Sequence, residues 1–378
     1  MDRILIIPPN DLFRHPIPNR LFHIAKRLAE WYEVLVLSYP NHPLARSKMR
    51  SLKAKEIRYK TFKLNNLGLY YLINTPSFYV TLKHLSDVDA VIHANIVPSL
   101  LATRIFAGKK IYDYVDHFPE SAAAYYQGTL KRVVKYLVSQ IVIQSLRGSD
   151  LIVTPSYGLA AFIRGYTNRP VYVIENGVDP ELFRPLDITQ ARKEIGIDYE
   201  GPIFLLQGSI DVWLNVEPIM YALKKSEDVR LLLVGYSHGK HYYHRLENLW
   251  RRLGLTRRIY KYPPQPYERM PVFINASNGI IAPFIRSIVT YATPLKVIES
   301  LACGRPVLAT RISEFWIWFK RGMFYYDHDD IWKLFGRIVR DWDLIYRELI
   351  DYSSVIRRVY SWGRIAERYR SLIESWGR

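Results

Sequence analysis

The sequence has almost no cysteine, no long clean hydrophobic run, and none of the common glycine-rich nucleotide fingerprints. Its single cysteine, Cys303, has no partner for an internal disulfide and cannot build a multi-cysteine metal site, which suits a reducing compartment. The longest apolar stretches, about 88–107 and 136–146, are broken by His93, Asn95, Pro98, Gln140 and Gln144. No window therefore supplies the ~18–20 apolar residues of a membrane span, and the first residues lack the basic-then-apolar order of a secretory leader. The expectation is a cytoplasmic protein that meets a membrane, if at all, from outside. Neither Gly-x-Ser-x-Gly nor Gly-x-Gly-x-x-Gly occurs, which weakens hydrolase and dehydrogenase readings. Acidic residues are scarce too: 35 Asp plus Glu stand against 53 Lys plus Arg, a net charge of +18. That balance favours anionic partners such as phosphorylated substrates, an acidic membrane face or nucleic acid.

What is present is a repeated rhythm. A chain of 378 residues exceeds one ordinary core and suits two domains. Short apolar runs alternate with amphipathic stretches, the pattern of parallel β-α-β units. Strands are expected at Ile4–Ile7, Glu33–Ser38, Ile57–Phe62, Asp89–His93, Lys109–Tyr114, Asp150–Thr154 and Val171–Ile174. Gly177, Pro180 and Pro185 then punctuate the chain, and the rhythm restarts with Ile203–Gln207, Arg230–Val234, Gly279–Pro283 and Pro306–Ala309. The expected architecture is α/β: two doubly wound, Rossmann-like parallel sheets facing across a cleft, residues 1–180 and 181–355, with 356–378 as a helical tail returning to the first domain.

Ligands of such sheets bind beyond the carboxyl ends of the strands. The most informative segment, Tyr291–Val307, reads YATPLKVIESLACGRPV. Thr293 suits a helix N-cap, Pro294 the first helical position, and Gly304 with Pro306 the end. Lys296 and Glu299 then share a helix face. A helix N-terminus with an adjacent Lys can hold a diphosphate, and a carboxylate one turn on can accept both ribose hydroxyls. The same residues also suit a capped surface helix carrying a simple Lys–Glu pair.

This segment resembles the donor-binding signature of the GT-B glycosyltransferases of group 1, family 4-like, in which a Glu precedes a second Glu by eight positions. Glu175-Asn176-Gly177-Val178-Asp179 with Phe183 and Pro185, Leu253-Gly254-Leu255, and Met270-Pro271 before Asn278–Pro283 resemble further stretches of the same family, in the same order. Two positions depart from the pattern. The first Glu is Tyr291, and the loop Gly208-Ser209-Ile210-Asp211 lacks the basic residues usual near the phosphates, for which Arg286 and Lys296 can substitute. The resemblance implies transfer of a sugar from a UDP- or GDP-sugar with retention at the anomeric carbon, without a metal or other cofactor. It implies a glycan, lipid-linked or other acceptor. Glu299 would hold the ribose. Gly208, Ser209, Gly235, Arg286, Tyr291, Thr293, Pro294 and Lys296 would surround the remainder of the donor. Asp116 and His117, at a strand end, join Glu299 as catalytic candidates, and His15 and His93 are acceptor-side candidates. His117 also suits a loop histidine without a role, and His93 a core residue. An epimerase or hydrolase of the same fold, or a basic nucleic-acid-binding protein, are the alternatives.

Other motifs carry less. His238, His241 and His244 share no single helix face, as a metal site would require. Gly235–Lys240 is too short for a Walker loop. The Asp-x-Asp pairs at 87–89 and 341–343 suit caps and solvated faces. Residues Arg46–Lys63, by contrast, hold eight Lys or Arg and one acid, Glu56, ahead of an aromatic stretch. Arg46, Lys48, Arg50, Lys53 and Lys55 are therefore expected to contact an anionic membrane; a plain solvated basic face is the alternative, ahead of nucleic acid.

Overall fold

The computed structural model describes all residues except 1–2, 40, 43–49, 125, 212, 237–239, 287–288, 290, 292, 328–329 and 376–378. The chain divides into two compact units, Met1–Asn176 with Trp362–Arg378, and Gly177–Ser361. The division falls at Asn176, not at 180. The helix Trp342–Val359 runs through the boundary expected at 355.

The first unit is a seven-stranded parallel sheet in the order β3-β2-β1-β4-β5-β6-β7. Its strands are β1 (Arg3–Ile7), β2 (Glu33–Leu37), β3 (Lys55–Ile57), β4 (Ala90–His93), β5 (Lys109–Asp113), β6 (Leu151–Thr154) and β7 (Val171–Val173). The second is a six-stranded sheet in the order β10-β9-β8-β11-β12-β13. It is made of β8 (Ile203–Ser209), β9 (Arg230–Tyr236), β10 (Ile259–Tyr262), β11 (Gly279–Ala282), β12 (Val307–Thr310) and β13 (Met323–Tyr326). Central strands are covered by helices on both faces and so read as continuous apolar runs. Ile4, Leu5, Ile6 and Ile7 are fully buried, as are Ile203, Phe204, Leu205 and Leu206. In each sheet the strand order reverses next to the first strand, between β1 and β4 and between β8 and β11. Those two points are where a crevice opens at the carboxyl edge.

Departures from the expected elements sit at sheet edges. β3 is Lys55–Ile57 and pairs only with Leu35–Leu37, so the expected strand Ile57–Phe62 does not form. Side-chain amides take over beyond it: Asn41 donates to Thr61 O at 2.8 Å, and Asn74 donates to Phe62 O while accepting from Phe62 N–H. β10 and β13 are partly exposed edge strands with mixed, aromatic-rich sequences (IYKY and MFYY), and their short pattern gave no strand signal. The helix that follows β8 is Glu217–Lys225. Ahead of it, residues 213–215 are tied to 283–285, through Asn215 N–H to Pro283 O at 2.7 Å and Ile285 N–H to Trp213 O at 2.8 Å.

The C-terminal helix Trp362–Ser375 buries Ile365, Ala366, Tyr369 and Ile373 and packs on the helix Arg20–Leu28. A buried ion pair locks this arrangement. Arg20 Nε bonds Asp113 at 3.1 Å, while its other nitrogens donate to Ile174 O, Glu175 O, Asn176 Oδ1 and Tyr369 Oη. Within the second unit, Val178 N–H donates to Tyr360 O at 2.7 Å.

Candidate functional site

At the β8/β11 switch point two glycines meet. Gly208 and Gly235 are register partners at the ends of β8 and β9, with φ of +103° and +148°. A Cβ on Gly235 would lie 1.9 Å from Gly208 O, and one on Gly208 would lie 3.2 Å from Lys296 Nζ. Only glycine fits this pairing, so backbone can be approached closely here.

The helix Leu295–Ala302 supplies the charged groups. Its N-cap position is Pro294, in extended geometry, so Thr293 lies one residue outside the helix and Pro294 is not its first turn. Val297, Ile298, Leu301 and Ala302 are buried, which fixes the helix against the sheet and turns Lys296 toward β8. Lys296 Nζ donates to Gln207 O at 2.7 Å and sits 5.4 Å from the Phe284 ring centroid. Burial pushes this ammonium down to about 8 from its ordinary 10.5, with Glu299 partly opposing. One turn on, Glu299 is 6% exposed and accepts from Tyr267 Oη at 2.8 Å. Burial raises its carboxyl to about 7, against the pull of the Tyr267 hydrogen bond and of Lys296. Beside Gly208, the Ser209 hydroxyl is buried and has no hydrogen-bond partner among the described residues. The cluster joins backbone without side chains, a cation, a carboxylate and an unused hydroxyl at one strand edge, which is what an anionic, polyhydroxylated ligand requires.

The structure brings together Gly208, Ser209, Gly235, Lys296 and Glu299. Arg286 is exposed on the loop after β11, and Tyr291, Thr293 and Pro294 are half-buried on the approach to the helix. Three participants escaped the sequence reading. Gln207 acts through its carbonyl, Phe284 is placed by the 213–215 strap, and Tyr267 lies 32 residues before its partner. Of these only Tyr267, beside the Pro-rich stretch 263–266, carried a local signal.

In the first unit Asp116 and His117 follow β5. Both Asp116 oxygens accept hydrogen bonds, from His117 N–H at 2.7 Å and from Ser121 Oγ at 2.6 Å, which ties the carboxylate to the helix Phe118–Ala123. The His117 ring packs edge-on against Phe162 at 4.5 Å, and burial lowers its basicity. His93 corrects its assignment. It is fully buried, stacks on Tyr112 at 4.7 Å and lies 3.1 Å from Ser149 Oγ, with burial pushing its pKa to about 3. It is a core histidine, and no acceptor can reach it. His15 is half-buried, and its Nδ1 lies 2.7 Å from Ile17 O.

The basic segment is only partly as expected. Arg46 and Lys48 lie outside the described residues, as does His238. Arg50 is turned inward, donating to the carbonyls of His15 and Pro16 with its guanidinium 6.0 Å from the Phe22 ring centroid, so it is not an exposed contact. Lys53 and Lys55 are exposed.

Two doubly wound parallel sheets, the second with a glycine-paired strand edge beneath a Lys- and Glu-bearing helix, define an α/β protein of the two-domain type. The Glycosyltransferase Family 4 model matches residues 17–182 and the Glycosyl transferases group 1 model matches residues 187–316. The chain belongs to the GT-B glycosyltransferases of group 1. It is 28% identical over 142 residues to D-inositol 3-phosphate glycosyltransferase of Mycobacteroides abscessus, covering 37% of this chain and 31% of that protein. The chain thus spans about a third of the length of such curated relatives. Sucrose-phosphate synthase from Thermosynechococcus elongatus shares its fold at a TM-score of 0.83 with 18% identity, over 100% of this chain and 99% of that one. HepE from Anabaena, solved with UDP-glucose, gives 0.75 with 16% identity, over 99% and 100%. Among the described residues no helix is long and apolar enough to cross a membrane.

Proposed function

We propose that the protein transfers a hexosyl group from a UDP- or GDP-sugar to a hydroxyl of a glycan or lipid-linked acceptor, with retention at the anomeric carbon and without a metal. The observation that carries this reading is the convergence of Lys296, Glu299 and the paired glycines at the β8/β11 switch point. The UDP-glucose bound by HepE supports a uridine donor. The chemical demand is to stabilise charge that builds on the departing diphosphate. Lys296 and the N–H groups near Gly208 and Leu295 answer it as fixed, preorganised charge, and Arg286 would add a cation from the loop after β11, so the reading assigns them the role a metal plays elsewhere. Binding the diphosphate would hold Lys296 in its protonated form to higher pH, while ionised Glu299 would accept from the ribose hydroxyls. Ser209 Oγ would gain the partner it lacks. Asp116 and His117 are assigned to the acceptor side. Burial leaves His117 neutral at pH 7, able to take a proton from an incoming hydroxyl. The acceptor is taken to be held at an anionic, cytoplasmic membrane face, approached by the exposed basic residues.

The test is thermal: UDP or GDP should raise the melting temperature, because a ligand of the native state stabilises it. Absence of a shift with either would end the donor-site reading. Product analysis by NMR, showing the same anomeric configuration in donor and product, checks retention.

A further inference from the structure

The Lys296 ammonium is desolvated, yet among the described residues it forms no ion pair, and Gln207 O at 2.7 Å is its single hydrogen-bond partner. Glu299, one turn on, is the charged group that acts on it, and that carboxylate is engaged by Tyr267 Oη. An ammonium has three N–H donors, so two are left unused by the protein. Burial disfavours a charge held this way. The group that offsets it is an aromatic face. The Phe284 ring is 5% exposed and its centroid lies 5.4 Å from Nζ, where a cation is attracted by the ring quadrupole.

That ring is held from several sides. Leu214 and Phe284 pair as an antiparallel bridge, flanked by the hydrogen bonds that tie 213–215 to 283–285. Tyr242 Oη, from the helix Lys240–Arg252, donates to Leu214 O at 2.6 Å and backs the strap. On the other side Thr310 Oγ1, at the end of β12, donates to Phe284 O at 2.7 Å. The backbone that carries the ring is therefore fixed from both neighbouring segments. A ring also differs from a carboxylate in what it leaves free. A carboxylate in its place would take the spare N–H groups and compete with an anionic ligand, whereas the ring stabilises the charge and takes none of them.

We propose that Phe284 is a positioning residue for the donor diphosphate: its ring keeps the Lys296 ammonium charged and in place while leaving two N–H groups for phosphate oxygens. The proposal rests on the donor reading put forward above and adds the residue that makes a desolvated lysine usable without a carboxylate partner. Tyrosine at this position should serve as well, and leucine, equally apolar, should not.

The experiment is a double-mutant cycle on the full chain, read by calorimetry with UDP and with GDP at two pH values. At about pH 8.5, above the Lys296 midpoint of about 8, F284L should bind nucleotide about tenfold more weakly than wild type. At about pH 6 the two should match, because both lysines are then charged. F284Y should follow wild type at both. In the K296M background the leucine substitution should change affinity less than about twofold at either pH, since the ring acts through the lysine. F284M repeats the test with a ringless side chain that fills the space differently, and melting temperatures without nucleotide check that each variant is folded. Equal weakening at both pH values, or equal weakening with and without Lys296, overturns the proposal, because the ring would then act on the fold or on the nucleotide itself. Unchanged affinity of F284L and F284M at the higher pH overturns it too. Failure of wild type to bind either nucleotide ends the donor reading and the proposal together, and is told apart because it precedes any substitution.

Discussion

The two sheets share one topology, and their switch points are furnished in opposite ways. At β1/β4 the protein fills the crevice with its own groups. Asn95 Nδ2 donates to Pro8 O at 2.9 Å and to Tyr71 Oη, which in turn donates to Pro9 O. Asp11 nearby accepts from the backbone of Phe13, Arg14 and Tyr39. At β8/β11 the corresponding edge has two glycines, a desolvated lysine and a raised carboxyl. The first arrangement pairs Asn95, Tyr71 and Asp11 with the protein's own groups and so stabilises the fold. The second holds charges in states that a ligand would relieve, a mark of functional sites.

Substitutions can break this contrast. The largest effect on stability is expected from Arg20→Met, which strands Asp113 as an unpaired buried charge and should cost about 3–5 kcal/mol. Chemical denaturation would measure it, and nucleotide affinity of the folded fraction should not change. Gly235→Ala should cost on the order of 3 kcal/mol, through the clash with Gly208 O and a φ that a side chain rarely adopts. Unlike Arg20→Met it should also abolish the nucleotide-induced thermal shift. Lys296→Met should leave the melting temperature level or higher at pH 7, because a cation disfavoured by burial is removed. It should nevertheless weaken UDP binding about 10–100-fold by calorimetry, the worth of a charge-assisted contact. A variant that lost stability and binding together would assign Lys296 to the fold instead.

The pH dependence is a finer probe. Folded protein releases the Lys296 proton near 8 and the unfolded chain near 10.5, so the unfolded chain holds more protons in that window and stability rises with pH across it. Glu299 acts in the reverse sense: between 4.5 and about 7 the folded protein holds the extra proton, and stability falls as pH rises. Glu299→Gln should remove that fall, and UDP affinity in wild type should drop about tenfold per pH unit above 8 if the bound diphosphate keeps Lys296 charged. The smallest change is expected from Tyr267→Phe. It should shift the Glu299 titration upward and raise KM a few-fold, consistent with losing one hydrogen bond of about 1 kcal/mol.

Much of this was legible locally. The central strands were readable because parallel strands buried on both faces are continuously apolar, and Lys296 and Glu299 because a helix places positions three apart on one face. Edge strands β10 and β13 were not, since partial exposure mixes their pattern. Asp116 was read as a strand-end residue, but its hydrogen bonds from the His117 backbone and Ser121 Oγ are partners that spacing does not reveal. His93 shows the same ambiguity resolved by burial.

The sequence by itself determined the two-sheet architecture, the scarcity of cysteine and acid, and the charge that points to anionic ligands, because period and composition act through neighbouring residues. Tertiary structure alone decided that Gly208 faces Gly235, that Tyr267 holds Glu299, that Arg50 turns inward, and that the Phe284 ring backs Lys296. Each depends on groups brought together from distant parts of the chain, where contact and desolvation are set by the fold and not by local pattern.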